Sequence, residues 1–265
     1  MQEEAGGRRL ALLVEYQGTA YGGSQLQANT QTIQGALERA LSSLTSESIR
    51  LALAGRTDAG VHALGQVASF VTGSRLPLDN FERGANALLP DDISVRAAAE
   101  VPADFDPRRH ALSRWYRYTM HLGRPRPALL REFVWQPPVP QLDAGAMAKA
   151  ARCLAGRHDF AAFTQEAEAR RRATEREVLR ASVCRQGRLL RFDIEANAFL
   201  TQMVRRIVGA LVEVGSGRRS CEEFERLVHD APPGGAKLVA PARGLCLMKV
   251  RYENGLFDDE TDEDI

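Results

Sequence analysis

The sequence predicts an α+β protein of two halves with largely antiparallel sheets, and three observations predict it. Apolar runs of strand length recur along the chain, amphipathic stretches of helix length lie between them, and two segments rich in proline or charge interrupt the pattern. The 265 residues, 44% hydrophobic and 26% charged, are enough to bury a sizeable core in one large domain or two halves.

The first element is the apolar run RRLALLVEY (8–16), which reads as a strand. TIQGALERALSSL (32–44) then places Ile33, Ala36, Leu37, Ala40, Leu41 and Leu44 at i, i+3, i+4 spacing, with Thr30 or Thr32 as a cap, and predicts a helix laid on a sheet. IRLALAG, GQVASFV and ISVRAAAEV read as further strands, with a helix near Asn80–Leu88 before the last, so the order is β, α, β, β, α, β. The second half has strands near Arg117–Leu122, Val178–Cys184, Leu189–Glu195 and Leu245–Tyr252, and helices over Asp143–Leu154 and Phe199–Val214. VPADFDPRRHALSR separates the halves, which gives residues 1–105, residues 106–257 and an acidic tail, 258–265. A second break, QEAEARRRATERE, has almost no apolar content and reads as an exposed loop or helix.

Composition narrows the function. No stretch approaches the roughly 20 consecutive apolar residues of a bilayer span, and MQEEAGGRRL lacks the pattern of a signal peptide, so a cytoplasmic protein without a membrane partner is expected. Four scattered cysteines form no CxxC or Cys/His pairing, which suggests neither a disulfide framework nor a zinc site. The net charge of +1 hides an asymmetry: DDETDEDI at the end carries six acids, and without it 35 basic face 28 acidic residues, a surplus of seven. Only three of the basic residues are lysines, and arginine is the better bidentate partner for phosphate. An arginine-biased coding usage gives the same surplus.

The run AGRTDAGVHALGQV puts Asp58 in a loop bracketed by glycines after an apolar stretch. Such an aspartate can simply close a turn. A metal would want further ligands, and only His62 stands close, so no metal is expected; glycosidase-like chemistry would want a second carboxylate, and none stands out in sequence. A lone carboxylate points to nucleophilic or base work on a substrate that carries its own leaving group. On the helix AFLTQMVRRIVGALVEV, Gln202, Arg206, Gly209 and Glu213 form a polar stripe that leaves Arg206 solvated, whereas Arg205 lies about 100° away, at the edge of the apolar side. A partly buried guanidinium there would hold a carboxylate ionised and oriented, although a snorkelling side chain fits as well. SRWYRYTM alternates as a strand, with Trp115 and Arg117 on one face and Tyr116 and Tyr118 on the other, either as core or as a ring that stacks on a nucleobase.

Together, AGRTDAGVHALGQV, RWYRY, NAFLTQMVRRIVGALVEVG and GLCLMKV resemble the tRNA pseudouridine synthases of the TruA type, from about Leu10 to about Tyr252. The resemblance implies the pseudouridine synthase fold, an α+β architecture whose two similar halves form a central, mainly antiparallel sheet flanked by helices. It further implies a homodimer that isomerises uridine at positions 38, 39 and 40 in the tRNA anticodon stem-loop, with no cofactor and no catalytic metal. By motif, Asp58 corresponds to the catalytic aspartate, Arg56 to the arginine associated with displacing the target base, and Tyr116 to the first tyrosine of YRY. Arg205 corresponds to the arginine paired with the aspartate, and Leu245 to the wall of the uracil pocket. Gln25, Gln27 and Arg108 match as substrate contacts, and Arg170, Arg171 and Arg172 would meet phosphates. Two positions depart: Ser24 stands where the family often has an aromatic, and Asp106 where it has histidine, which bears on RNA contacts. The competing readings are an RNA-binding protein with tandem RRM-like halves, and a metal-dependent hydrolase using Asp58, His62 and a distant acid.

Overall fold

A computed structural model describes residues 7–139 and 141–258. It has the expected α+β class, with a central, mainly antiparallel sheet flanked by helices. Backbone packing divides the described residues into two units: those up to Leu112 together with those from Leu247 to Asp258, and those of Ser113–Cys246. Most of the last strand groups with the first unit.

In the first unit β1 (Arg8–Tyr16) is central. It pairs antiparallel with β3 (His62–Thr72) on one side and β4 (Ile93–Val101) on the other, and Leu10–Val14 are buried on both faces. This burial explains why the strand reads as a continuous apolar run rather than an alternating one. Strand β2 is only Ala52–Leu53, shorter than the apolar run predicts; the Ala54 N–H still donates to the Val67 carbonyl of β3 at 2.8 Å, and the loop around Asp58 follows. Helix α1 (Ile33–Thr45) starts at Thr32, whose side chain accepts the Gly35 N–H at 3.2 Å; of the two candidate caps it is the one used. Helix α2 (Leu78–Asn86) packs on β4, and Phe81 meets Phe70 with ring centroids 5.9 Å apart.

In the second unit the order is β5 (Ala111–His121), β8 (Leu189–Ala196), β7 (Glu175–Gln186) and β6 (Gly156–Asp159). Helices α3 (Ala144–Ala151), α5 (Met203–Gly215) and α6 (Cys221–His229) pack together, with Phe160, Phe163 and Phe224 in their core. Sequence periodicity missed β6 and α6. Strand β6 has no buried residue, and α6 is mostly polar but carries a complete capping box between Ser220 and Glu223. The charged break contains α4 (Glu166–Ala169), a single turn. The last strand, β9 (Leu245–Tyr252), matches its expected bounds.

No helix among the described residues is long and apolar enough to cross a membrane. Of the four cysteines Cys184 is exposed and the others half-buried, and burial pushes the Cys153 thiol up to about 11. Of the acidic tail only Asp258, which pairs with Lys249 at 3.1 Å, lies within the described residues.

Candidate functional site

Asp58 stands on the loop between β2 and β3 and is half-buried. The loop is held by the residue just before it. Thr57 is 7% exposed, and all three of its polar groups are bonded: its N–H donates to Ser24 Oγ at 2.8 Å, its carbonyl accepts the Ser24 N–H at 3.1 Å, and its hydroxyl shares a 2.8 Å bond with Tyr16 Oη. Gln66 Nε2 donates to Tyr16 Oη and to the Gly55 carbonyl, while its Oε1 accepts the Gly55 N–H. After Asp58, its own carbonyl accepts the Val61 N–H at 3.1 Å, and the turn is completed by Gly60 at φ 77°.

The neighbouring chain comes unusually close to this loop. A Cβ on Gly18 would stand 1.9 Å from the Val61 carbonyl oxygen, so no other residue fits there without moving the loop. His62, 4% exposed, accepts the Gly18 N–H on Nδ1 at 3.2 Å. That bond commits one ring nitrogen to the backbone, which argues against His62 as the ligand that the hydrolase reading requires. No group of three or more metal-ligating side chains occurs among the described residues.

Arg56 is exposed on the same loop. Gln25 is exposed beside Ser24, and Gln27 is exposed with its Nε2 donating to the Gly22 carbonyl at 2.8 Å, which closes a turn. Arg108 lies exposed on a separate turn, where its N–H and that of Arg109 donate to Asp106 Oδ1 at 2.8 and 2.9 Å. Burial raises the Asp106 pKa, but those two N–H groups and the Arg109 charge outweigh it and leave the carboxyl below its ordinary range. Asp106 is thus a turn former. Ser24, the other departure from the family pattern, is fully buried against Thr57.

In the second unit the connection from Ala240 to Gly244 meets Arg205 and leads directly into Leu245, two of the predicted residues. Arg205 donates through Nε to the Ala240 carbonyl at 2.8 Å and accepts the Ala240 N–H on its own carbonyl at 3.0 Å. Tyr118 Oη donates to the Pro241 carbonyl at 2.8 Å, and a Cβ on Gly244 would sit 2.7 Å from the Tyr118 ring. Leu245, 6% exposed, follows directly. Tyr116, 7% exposed, lies two residues before Tyr118 on the same face of β5 and packs edge-on against Phe199 with centroids 5.1 Å apart. Both tyrosines are buried, and for Tyr118, fully so, burial drives the phenol pKa strongly up.

One expectation for α5 fails. Arg206 is half-buried, not solvated: Nη1 donates to the Ala236 carbonyl and Nη2 to Gln202, and burial, with Arg205 adjacent, lowers its pKa. The stripe of Gln202, Arg206, Gly209 and Glu213 is covered in part by residues 236–240, and Gly209 allows this because a Cβ would stand 2.0 Å from the Leu238 carbonyl oxygen. A polar stripe marked a backbone contact here, which helical periodicity alone does not distinguish from solvent. Helix α5 also begins at Met203, four residues later than predicted, after Gln202 at φ 60°.

Arg170, Arg171 and Arg172 are exposed at the end of α4. Arg170 pairs with Glu166 and Arg172 with Glu168 at 3.9 Å. Glu168 also accepts the Thr201 hydroxyl at 2.8 Å, which ties this segment to the chain entering α5. Sequence reasoning missed Tyr16, Thr57 and Gln66. The available signal was Gln66, a polar residue inside an apolar strand that has to find partners when buried.

A family model described as tRNA pseudouridine synthase matches residues 12–108 and 150–253. Relatives named tRNA pseudouridine synthase A include that of Geobacter sp. (strain M21), 44% identical over 246 residues, with 92% of this chain and 99% of that protein covered. That of Pelobacter propionicus is 44% identical, covering 92% of this chain and all of the relative, and that of Roseiflexus castenholzii is 45% identical, covering 92% and 91%. Matches of this extent and identity show that the chain belongs to the tRNA pseudouridine synthase family.

Proposed function

We propose that this chain isomerises uridine to pseudouridine in tRNA, at positions 38, 39 and 40 of the anticodon stem-loop, with Asp58 as the group that acts on the ribose. The observation that carries the reading is a half-buried carboxylate in the family's motif, on a loop whose preceding residue has every polar group bonded. Fixed geometry of that kind suits a reacting group.

The reaction breaks the N1–C1′ bond, turns the uracil and joins C5 to C1′; the C5 proton leaves, N1 gains one, and the composition is unchanged. Ionised Asp58 can act in two ways. It attacks C1′, the uracil departing with the electron pair of the N1–C1′ bond and C5 later displacing the carboxylate. In the second route it removes the C2′ proton as the uracil leaves, giving a glycal that recovers the proton when C5 adds. Primary isotope sensitivity at C2′ belongs to the second route alone.

The remaining roles follow the motif. Family correspondence gives Arg205 the role of orienting the reacting carboxylate, Tyr116 that of stacking on the uracil and helping to remove the C5 proton, and Leu245 that of walling the pocket. Arg56 fills the space left by the extruded nucleotide, while Gln25, Gln27 and Arg108 contact the RNA. Arg170, Arg171 and Arg172, assigned from the charge of their segment and not from a motif, supply phosphate contacts. The substrate provides its own leaving group and acceptor, so the reading needs no metal or cofactor. The chain acts in the cytoplasm, where tRNA is met, and as a homodimer, a state that the family resemblance supports.

Tritium release from tRNA labelled at uridine C5, measured without added metal and with the modified positions mapped, tests this reading. Release mapping to positions 38–40 is expected. Binding of tRNA without release would favour the RNA-binding module, and metal-stimulated turnover of the RNA without tritium release would favour the hydrolase.

A further inference from the structure

Ser24 is fully buried and bonds to Thr57 twice, its hydroxyl accepting the Thr57 N–H and its N–H donating to the Thr57 carbonyl. These two bonds fix the peptide planes on both sides of Thr57, and the second of those planes contains the nitrogen of Asp58. Ser24 is itself anchored on the other side. Its carbonyl accepts the Gln34 N–H at 3.0 Å, and the Gly23 carbonyl accepts the Ile33 N–H at 3.3 Å, so the first turn of α1 holds the segment. Gly23 has φ 111°, and a Cβ there would come within 2.9 Å of the Thr57 carbonyl oxygen. The path from helix to loop is therefore short and hydrogen-bonded, and it is buried at Ser24 and Thr57, just before Asp58.

We propose that Ser24 is a positioning residue for the isomerisation: its hydroxyl, accepting the Thr57 N–H, holds the Arg56–Thr57 peptide, one residue before Asp58, and through it the loop that sets where the Asp58 carboxylate stands. The proposal rests on the reading of Asp58 as the reacting group.

The test compares Ser24→Ala, Ser24→Cys and Ser24→Thr with wild type and with Asp58→Asn, in single-turnover pseudouridine formation at saturating tRNA, with tRNA affinity and thermal unfolding measured in parallel. Cysteine keeps the volume but is a weak acceptor, whereas threonine keeps the hydroxyl. Ser24→Ala and Ser24→Cys should slow the chemical step on the order of 10- to 100-fold, with tRNA affinity changed by no more than about twofold. Ser24→Thr should restore most of the rate. A role confined to stability would lower the unfolding temperature and leave the single-turnover rate where it was, and that result overturns the proposal. Equal slowing by alanine, cysteine and threonine would also overturn it, since the loss would then follow packing and not the hydroxyl. If Asp58→Asn keeps its rate, the underlying reading of Asp58 fails; if Asp58→Asn is inactive while Ser24→Ala is unimpaired, only the positioning role fails.

Discussion

The loop that carries Asp58 and the segment that carries Arg170, Arg171 and Arg172 are both short and polar, yet they are held in opposite ways. Around Asp58 the supporting groups are uncharged and buried: Ser24, Thr57, Tyr16 and Gln66 bond to one another and to backbone. Around the arginines the contacts are ion pairs one turn back, Arg170 to exposed Glu166 and Arg172 at 3.9 Å to half-buried Glu168. A buried hydrogen bond that loses one partner costs about 1–3 kcal/mol, whereas an exposed ion pair is worth about 0–1 kcal/mol and weakens in salt. One arrangement fixes an atom in place; the other keeps charge near the surface and free to exchange partners. The difference is the one expected between a group that reacts and groups that meet a phosphate backbone.

Substitutions separate the two regions most sharply where the effect is largest. Asp58→Ala should reduce pseudouridine formation by about 10³-fold or more while tRNA still binds, as measured by tritium release beside a filter-binding assay. Gln66→Ala should destabilise the fold by about 1–3 kcal/mol in denaturant unfolding, because it leaves both polar groups of Gly55 without their partner. The triple change of Arg170, Arg171 and Arg172 to alanine should leave stability within about 1 kcal/mol and the rate at saturating RNA unchanged, yet lower the slope of log affinity against log salt by about 2. An unchanged slope would return this segment to a plain solvated turn.

Smaller effects mark the edges of the comparison. Thr32→Ala removes the cap of α1, the helix whose first turn anchors Ser24, and should cost about 1 kcal/mol in unfolding. Asp106 lies in neither region. Its carboxyl is held below the ordinary range, so its contribution is present above that range and is lost as pH falls through the lowered value. Asp106→Asn should remove part of the acid dependence of stability and leave the neutral-pH rate alone, which a pH series of melting curves would read.

The strands and helices that bury a continuous or periodic apolar face were legible in the sequence. Strand β1, helix α1 and strand β9 have no competing pattern, and the core face decides them. What escaped has little apolar signal: β6 buries nothing and α6 is mostly polar. At the site, the motif located Asp58, and helical spacing put Arg205 at the edge of the apolar side. The same spacing misled for Arg206, because a backbone segment covers part of the stripe, and only Gly209, which admits no side chain there, hints at the contact. The brace around Thr57 joins residues 16, 24, 57 and 66, separations that no local pattern records. Ser24 stood out in sequence only as a departure, and in the structure it is the partner of the loop's backbone.

The measurement closest to the central claim is single-turnover pseudouridine formation by Asp58→Asn at saturating tRNA, a change that keeps the side chain's size and removes its charge. The account predicts bound tRNA, an unchanged fold and no product above background. Product at a rate within about tenfold of wild type would contradict it, since neither route can proceed at such a rate without an ionised carboxylate at that position.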